Sequence, residues 1–185
     1  MTVRDDERDP IRVFLAALPR VVRALDTQLK DCTTPLDVAW TLCDFAGRAL
    51  ELEDCVVYLV DDDDGARLTQ YAAWGPKRVA ERVFENHIEL AVGDGIVGGC
   101  ALVGAPQCVP DTRLDPRYVG DEGGGLSELA VPLVHRGRSY GVIDSEHPEL
   151  DHYRAHHVRA LCAVAAHGAA RLAWLAHQRE TDAAR

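Results

Sequence analysis

Apolar residues recur every three or four positions near the start of the chain, at Ile11, Leu15, Leu18, Val22, Leu25 and Leu29. This spacing predicts a helix over Ile11–Lys30 with one apolar seam of coiled-coil type, which Pro19 should kink or divide. A second helix is predicted from Thr34, with Pro35 in its first turn and Asp37 near its positive end, running to Leu50 on Leu36, Ala39, Leu42, Cys43, Ala46 and Leu50. The pattern then shortens. Cys55–Val60 and Arg67–Trp74 read as strands joined by the turn Asp61–Gly65. Pro76–Asn86 reads as helix, Ile88–Val92 as strand, Ile96–Val103 as a short helix and Gln107–Pro110 as strand. A long loop, Pro110–Gly125, precedes a hairpin of Glu128–Val134 and Arg138–Glu146. The last helix, Asp151 to His177, carries Val158, Leu161, Ala165, Gly168, Leu172 and Leu175, and its small residues invite close approach of a neighbouring helix.

Helices at both ends and a mostly antiparallel sheet between them make an α+β domain. At 185 residues the chain suits one such domain over 11–178, with a disordered start (1–10) and a flexible end (179–185).

The hairpin register decides which side chains share a face. A two-residue loop would force Arg136 to positive φ, so a three-residue loop, His135-Arg136-Gly137, is expected, with only Gly137 in that region. Glu128 then falls opposite Asp144. One face carries Leu129, Val131, Leu133, Gly141 and Ile143. The other carries Glu128, Ala130, Pro132, Tyr140, Val142 and Asp144, with Glu146 at its end. The first face suits packing under the terminal helices, and the second suits a pocket floor. Three carboxylates there would attract a cationic or amino-bearing ligand and raise one another's pKa values. A capping role in turns is the alternative reading, and Asp111 and Asp115 fit it better than a ligand role.

Composition narrows the classes. The formal net charge of -10 argues against a nucleic-acid partner and against anionic membrane. The six cysteines show no CxxC pair, MTVRDDERDP has no apolar signal core, and no stretch is long enough to span a bilayer. A cytoplasmic protein with reduced thiols is expected.

Four segments in register carry a family likeness: Gly93-Asp94-Gly95-Ile96-Val97-Gly98; Pro110-Asp111-Thr112 with Asp115-Pro116-Arg117-Tyr118; Ser127-Glu128-Leu129-Ala130-Val131-Pro132-Leu133; and Gly141-Val142-Ile143-Asp144-Ser145-Glu146-His147-Pro148. Over about residues 33–178 the chain resembles the GAF domain family. The resemblance implies a GAF/PAS-like central sheet with the terminal helices on one face and a ligand pocket on the other. It further implies a small-molecule sensor that pairs as a homodimer through its helices and acts on a downstream signalling protein. On that basis the expected ligand-binding residues are Glu128, Asp144, Glu146, Tyr118, Tyr140, Ala130, Val97 and Cys100, whereas Tyr71 and Trp74 fit ordinary core packing or surface exposure better than an aromatic pocket wall.

One catalytic branch of the family, the free methionine sulfoxide reductases, is similar around the Ser-Glu and Gly-Val-hydrophobe-Asp motifs. In that branch the positions of Glu128, Asp144 and Glu146 hold substrate. Its cysteines are not matched: Val97 and Asp121 stand in their places, with Cys100 and Cys108 displaced, and Asp54 replaces a substrate-contacting tryptophan. Reduction of a sulfoxide needs an activated thiol, so the chain is expected not to be an enzyme. A ligand-free dimerisation scaffold is the other alternative. His152 and His156, four apart, lack the partners of a zinc site, and Asp61–Asp64 lacks the ligand alternation of a calcium loop; neither metal nor cofactor is expected.

Overall fold

The computed structural model describes residues 10–61, 65–84, 88–120 and 124–185, with side chains from residue 16 onward. Among the described residues four helices and eight strands run in the order α1 (Pro10–Asp31), α2 (Pro35–Ala49), β1 (Cys55–Val60), β2 (Arg67–Trp74), β3 (Arg78–Ala80), β4 (Val83–Phe84), β5 (Glu89–Ala91), α3 (Gly95–Val103), β6 (Gln107–Val109), β7 (Ser127–His135), β8 (Arg138–His147) and α4 (Ala155–Ala183). Most of the predicted strands and helices are present within a residue or two. The N-terminal segment expected to be disordered and the centre of the Asp61–Asp64 turn lie outside the described residues.

Local chemistry explains α2 well. Thr34 Oγ1 accepts the Asp37 N–H at 3.1 Å while Asp37 accepts the Thr34 N–H at 3.1 Å, and Pro35 occupies the first turn. This reciprocal box satisfies two backbone donors that the helix itself leaves over. Its apolar side, with Val38, Leu42, Cys43 and Ala46 fully buried, faces the sheet.

Six strands form one antiparallel sheet in the order β5-β2-β1-β8-β7-β6. α2 and α4 cover one face, with α1 packed against both, over a core that includes Val57, Leu59, Leu129, Val131, Leu133 and Ile143. α3 covers the other, over Val56, Tyr58, Leu68, Ala130 and Val142. The α4 seam is consumed inside the domain: Leu161, Ala165, Leu172 and Leu175 are buried, as are Leu25 and Leu29 of α1. α1 passes through Pro19 without interruption. Arg171 of α4 donates to the Lys30 and Cys32 carbonyls, capping α1, and His167 of α4 meets Asp26. α4 runs on to Ala183, past the end expected at His177. Among the described residues no helix is long and apolar enough to cross a membrane.

Two expectations fail. Pro76–Asn86 is no helix: a 3-10 turn at Gly75–Lys77 leads into the β3–β4 pair, turned at Arg82 with φ 53°, and residues 85 and 86 lie outside the described ones. Tertiary contacts override the helical spacing, since Arg78 pairs with Asp44 and lies over the Trp40 ring, which Phe84 also meets at 6.0 Å. The β7–β8 loop has two residues rather than three. Arg136 and Gly137 both take positive φ, 51° and 81°, as the tight hairpin turn demands, and His135 pairs with Arg138.

A close-packing prediction follows from Gly168, where an added Cβ would lie 2.4 Å from Leu42 Cδ1 of α2. Gly168→Val should lower the unfolding free energy by roughly 1–3 kcal/mol, read from the denaturant midpoint. An unchanged midpoint would mean that α2 and α4 are loosely packed there.

Candidate functional site

A two-residue turn alone would have thrown Glu128 and Asp144 onto opposite faces. A bulge corrects it. The pairing steps from Val134↔Ser139 to Pro132↔Val142, so Leu133 faces both Tyr140 and Gly141. Beyond the bulge Ala130 pairs with Asp144 and Glu128 with Glu146, and the three acids share the face that α3 covers. Glu128 therefore faces Glu146, not Asp144 as the three-residue loop implied.

Side chains and backbone build the site together. Glu128, Asp144 and Glu146 are 3%, 5% and 9% exposed, and Asp54, which precedes β1, is 7% exposed. Asp54 Oδ1 accepts the Glu146 N–H at 2.9 Å. Lys77 Nζ lies 3.0 Å from Asp54 Oδ2 and 3.4 Å from Glu146 Oε2. The Glu128 and Asp144 carboxyls hydrogen-bond each other, and Asp144 Oδ1 has no partner among the described residues. From behind, the Ser145 hydroxyl donates to the Asp54 carbonyl at 2.6 Å and meets the Tyr153 hydroxyl at 2.7 Å, fixing β8 against β1. Val97, Cys100, Ala130 and Val142 form the apolar surroundings, with Tyr118 packed at the margin. Thr112 ties down the base of the following loop, donating to the Gly125 carbonyl at 2.7 Å. Gly125 rests on Glu146, where a Cβ would lie 2.5 Å from the Glu146 Cβ.

Burial, then the charge of Glu146, pushes Glu128 up from 4.5 to about 7. Burial, then Glu128, holds Asp144 well above the carboxylate range, and burial raises Asp54 despite Lys77. A carboxyl held up in the fold favours folding below its unfolded value, and that stabilisation is lost as pH rises through its folded value. For Glu128 the window runs from 4.5 to about 7 and is worth about 3 kcal/mol. At neutral pH the cluster therefore strains the unliganded fold. The Cys100 thiol, wholly buried, is pushed up by burial and then by Asp144, so it stays protonated.

The structure thus assembles Glu128, Asp144, Glu146, Tyr118, Ala130, Val97 and Cys100. Tyr140 it does not: the bulge turns Tyr140 to the helix side, where Tyr71 and Trp74 also pack. Asp54 and Lys77 were missed as partners of the acids. Asp54 becomes legible only from the pairing Val56↔Asp144, and Lys77 sat in the misread helix. Asp111 caps the 3-10 turn Thr112–Leu114, and Asp115 pairs with Arg117 at 2.7 Å.

The histidines form a separate group. His152 lies before α4, not on it, and its ring stacks on that of His147 at 3.4 Å and 10°. His147, Glu149 and His152 bring donor atoms within 4.8 Å of one another. An ion must lie near the plane of each ligating ring, which parallel stacked rings do not permit, and His147 Nδ1 already accepts the Glu149 N–H at 3.1 Å.

Comparison with known proteins agrees with this geometry. Solved structures of similar shape include a free methionine-R-sulfoxide reductase from Neisseria meningitidis in complex with its substrate, 21% identical over 92% of this chain and 94% of that one, TM-score 0.72. Another is the GAF domain of a phosphoenolpyruvate-protein phosphotransferase from Coxiella burnetii, 19% identical over 91% and 98%, TM-score 0.73. A third is a type II free methionine-R-sulfoxide reductase from Thermoplasma acidophilum, 18% identical over 77% and 97%, TM-score 0.63. No curated protein matches by sequence. The expectation that the chain is not an enzyme is overturned, because the structures it resembles include reductases and the mismatch of cysteines does not decide the matter. The model of the GAF domain matches residues 32–173, and the chain belongs to the GAF domain family, a fold of signalling and small-molecule binding.

Proposed function

We propose that this GAF domain is a sensory module whose ligand carries an amino or other cationic group, held by Glu128, Asp144 and Glu146. The supporting observation is the buried Asp144 carboxylate oxygen that lacks a donor among the described residues, in a cluster where burial and crowding already oppose ionisation. A cation placed there relieves both costs, because it lets the carboxyls ionise and supplies the missing donors. Such binding releases protons, so affinity rises with pH. The loop whose base Thr112 fixes would close over the ligand, and the change would pass through the sheet to the helices.

The test is a thermal-shift and calorimetric screen of the full chain with L-methionine, L-arginine, putrescine and spermidine. At least one should stabilise the domain, bind more tightly at about pH 8 than at about pH 6, and lose roughly tenfold or more in affinity in Glu128→Gln. Binding by none, or binding indifferent to Glu128→Gln, would favour the scaffold reading. A parallel arm supplies free methionine sulfoxide, a thiol reductant and NADPH-coupled detection. Turnover abolished by Cys100→Ser or Cys108→Ser would replace the sensor with an enzyme.

Pairing of two copies belongs to the same reading. Since α4 spends its seam inside the domain, the contact falls to the first half of α1, where Leu18 and Val22 stay partly exposed. Light scattering should give the mass of a dimer that Leu18→Glu converts to a monomer, whereas a monomeric parent chain would sink the idea.

A further inference from the structure

Two backbone hydrogen bonds at the start of α4 have a histidine as their acceptor. His147 Nδ1 accepts the Glu149 N–H at 3.1 Å, and His157 Nδ1 accepts the Arg154 N–H at 3.0 Å. A ring nitrogen accepts only while it carries no proton, and the imidazolium ion is a donor at both nitrogens. Side chains that do not titrate near neutral pH usually make these two bonds. His147 bonds the N–H two residues on, as Asn does in an Asx-turn. Arg154 is the N-cap of α4 and His157 its third residue, where Glu or Gln closes the capping box.

His152 lies between the two. Its ring is parallel to both, 3.4 Å from His147 and 5.2 Å from His157, each at 10°. The Tyr153 ring meets His152 and His157 edge-on, and His156 lies 3.9 Å from His157. Neutral rings pack in this way, whereas charges on adjacent rings repel. Other groups facing the stack act in both directions. Glu149 Oε2, 3.9 Å from His152 Nδ1, favours a proton there. Arg154 opposes one and is itself paired with Asp151 at 2.5 Å. From β6 the Cys108 thiol donates to the Tyr153 carbonyl at 3.8 Å, and burial keeps it protonated. Burial, then His147, lowers His152, and burial, then His156, pushes His157 down to about 4. The positive end of α4 works in the same sense.

The histidines bracket the joint between the sheet and α4. Ser127 Oγ donates to the Glu149 carbonyl at 2.7 Å, and the Asp151 N–H donates to the Pro110 carbonyl at 2.8 Å. The Tyr153 hydroxyl meets Ser145, which donates to the Asp54 carbonyl behind the acid cluster. We propose that His147, His152 and His157 form a proton-sensitive latch on this joint, closed while the rings are neutral and opened when they are protonated. Opening removes the acceptors of two backbone N–H groups and sets like charges face to face. The first turn of α4 then loosens, and with it the Tyr153 contact that backs Asp54. The sign is opposite to that of the acid cluster. A histidine lowered in the fold contributes stability that is fully present above 6.5 and is lost as pH falls toward about 4. The latch does not depend on what the acid cluster binds.

Denaturant unfolding of the full chain between pH 6.5 and pH 4 tests the proposal, set against the double variant His147→Asn/His157→Gln. The amide oxygens of the variant can accept the same two N–H groups without titrating. Effects common to both proteins, those of the acid cluster included, cancel in the comparison. The folding equilibrium constant of the wild type relative to the variant should fall at least about tenfold across this range. Parallel curves would overturn the proposal. Side-chain 15N shifts of the wild type give a second reading that needs no stable variant. At about pH 7 both His147 and His157 should carry their proton on Nε2, leaving Nδ1 bare, and His157 should titrate near 4. A proton on either Nδ1 at neutral pH, or a His157 midpoint of 6.5 or above, would equally overturn it.

Discussion

At Gly141 the backbone of β8 runs so close to β1 that a Cβ would sit 2.1 Å from the Tyr58 carbonyl oxygen. No side chain fits there, and the strand bulges at this point. The faces of the hairpin follow from that contact. Side-chain direction along a strand has a period of two, so one extra residue reverses everything beyond it. Below the bulge Asp144 and Glu146 turn under α3 with Glu128, while Leu129, Val131 and Ile143 turn under the helices. Above it Tyr140 goes the other way. The shared face of the acids and the opposite direction of Tyr140 both follow from this one bulge.

The cluster is costly in a way that suits binding. Four carboxyls are buried within one neighbourhood, with Lys77 paired to Asp54 and Glu146. Carboxyls crowded like this resist ionisation, and among the described residues one of the oxygens has no donor. Structures seldom keep such an arrangement for stability alone, since apolar residues of similar size would pack the same space at lower cost. A cationic ligand turns the cost into affinity, because the state that suffers is the empty one.

Much of the fold was legible because it is local. Thr34, Pro35 and Asp37 announce α2 by chemistry that acts within four residues, and the short apolar run Cys55–Val60, followed by the turn residues and Arg67–Trp74, marks strands directly. Pro76–Asn86 misled because its helical spacing is undone by contacts with α2 through Arg78 and Phe84, which no window of sequence contains. The site was half legible. That Glu128, Asp144 and Glu146 share a face was read correctly from their parity, although by way of the wrong loop: a two-residue turn and a bulge add up to the same phase as a three-residue turn. Tyr140 was misplaced because it lies within the bulge itself. Asp54 and Lys77 arrive from elsewhere in the chain through β1–β8 pairing and the Gly75–Lys77 turn, and local sequence carries no signal of either.

The central claim is that these acids are buried together and not merely near one another. A carbon-detected NMR titration of the Asp and Glu side-chain carboxyls in the full chain tests it, with Glu128→Gln identifying the Glu128 signal. The account predicts a midpoint for Glu128 near 7, with Asp144 titrating above the ordinary carboxylate range. Ordinary midpoints near 4 for both groups would show water between the carboxyls and remove the physical basis of the ligand site.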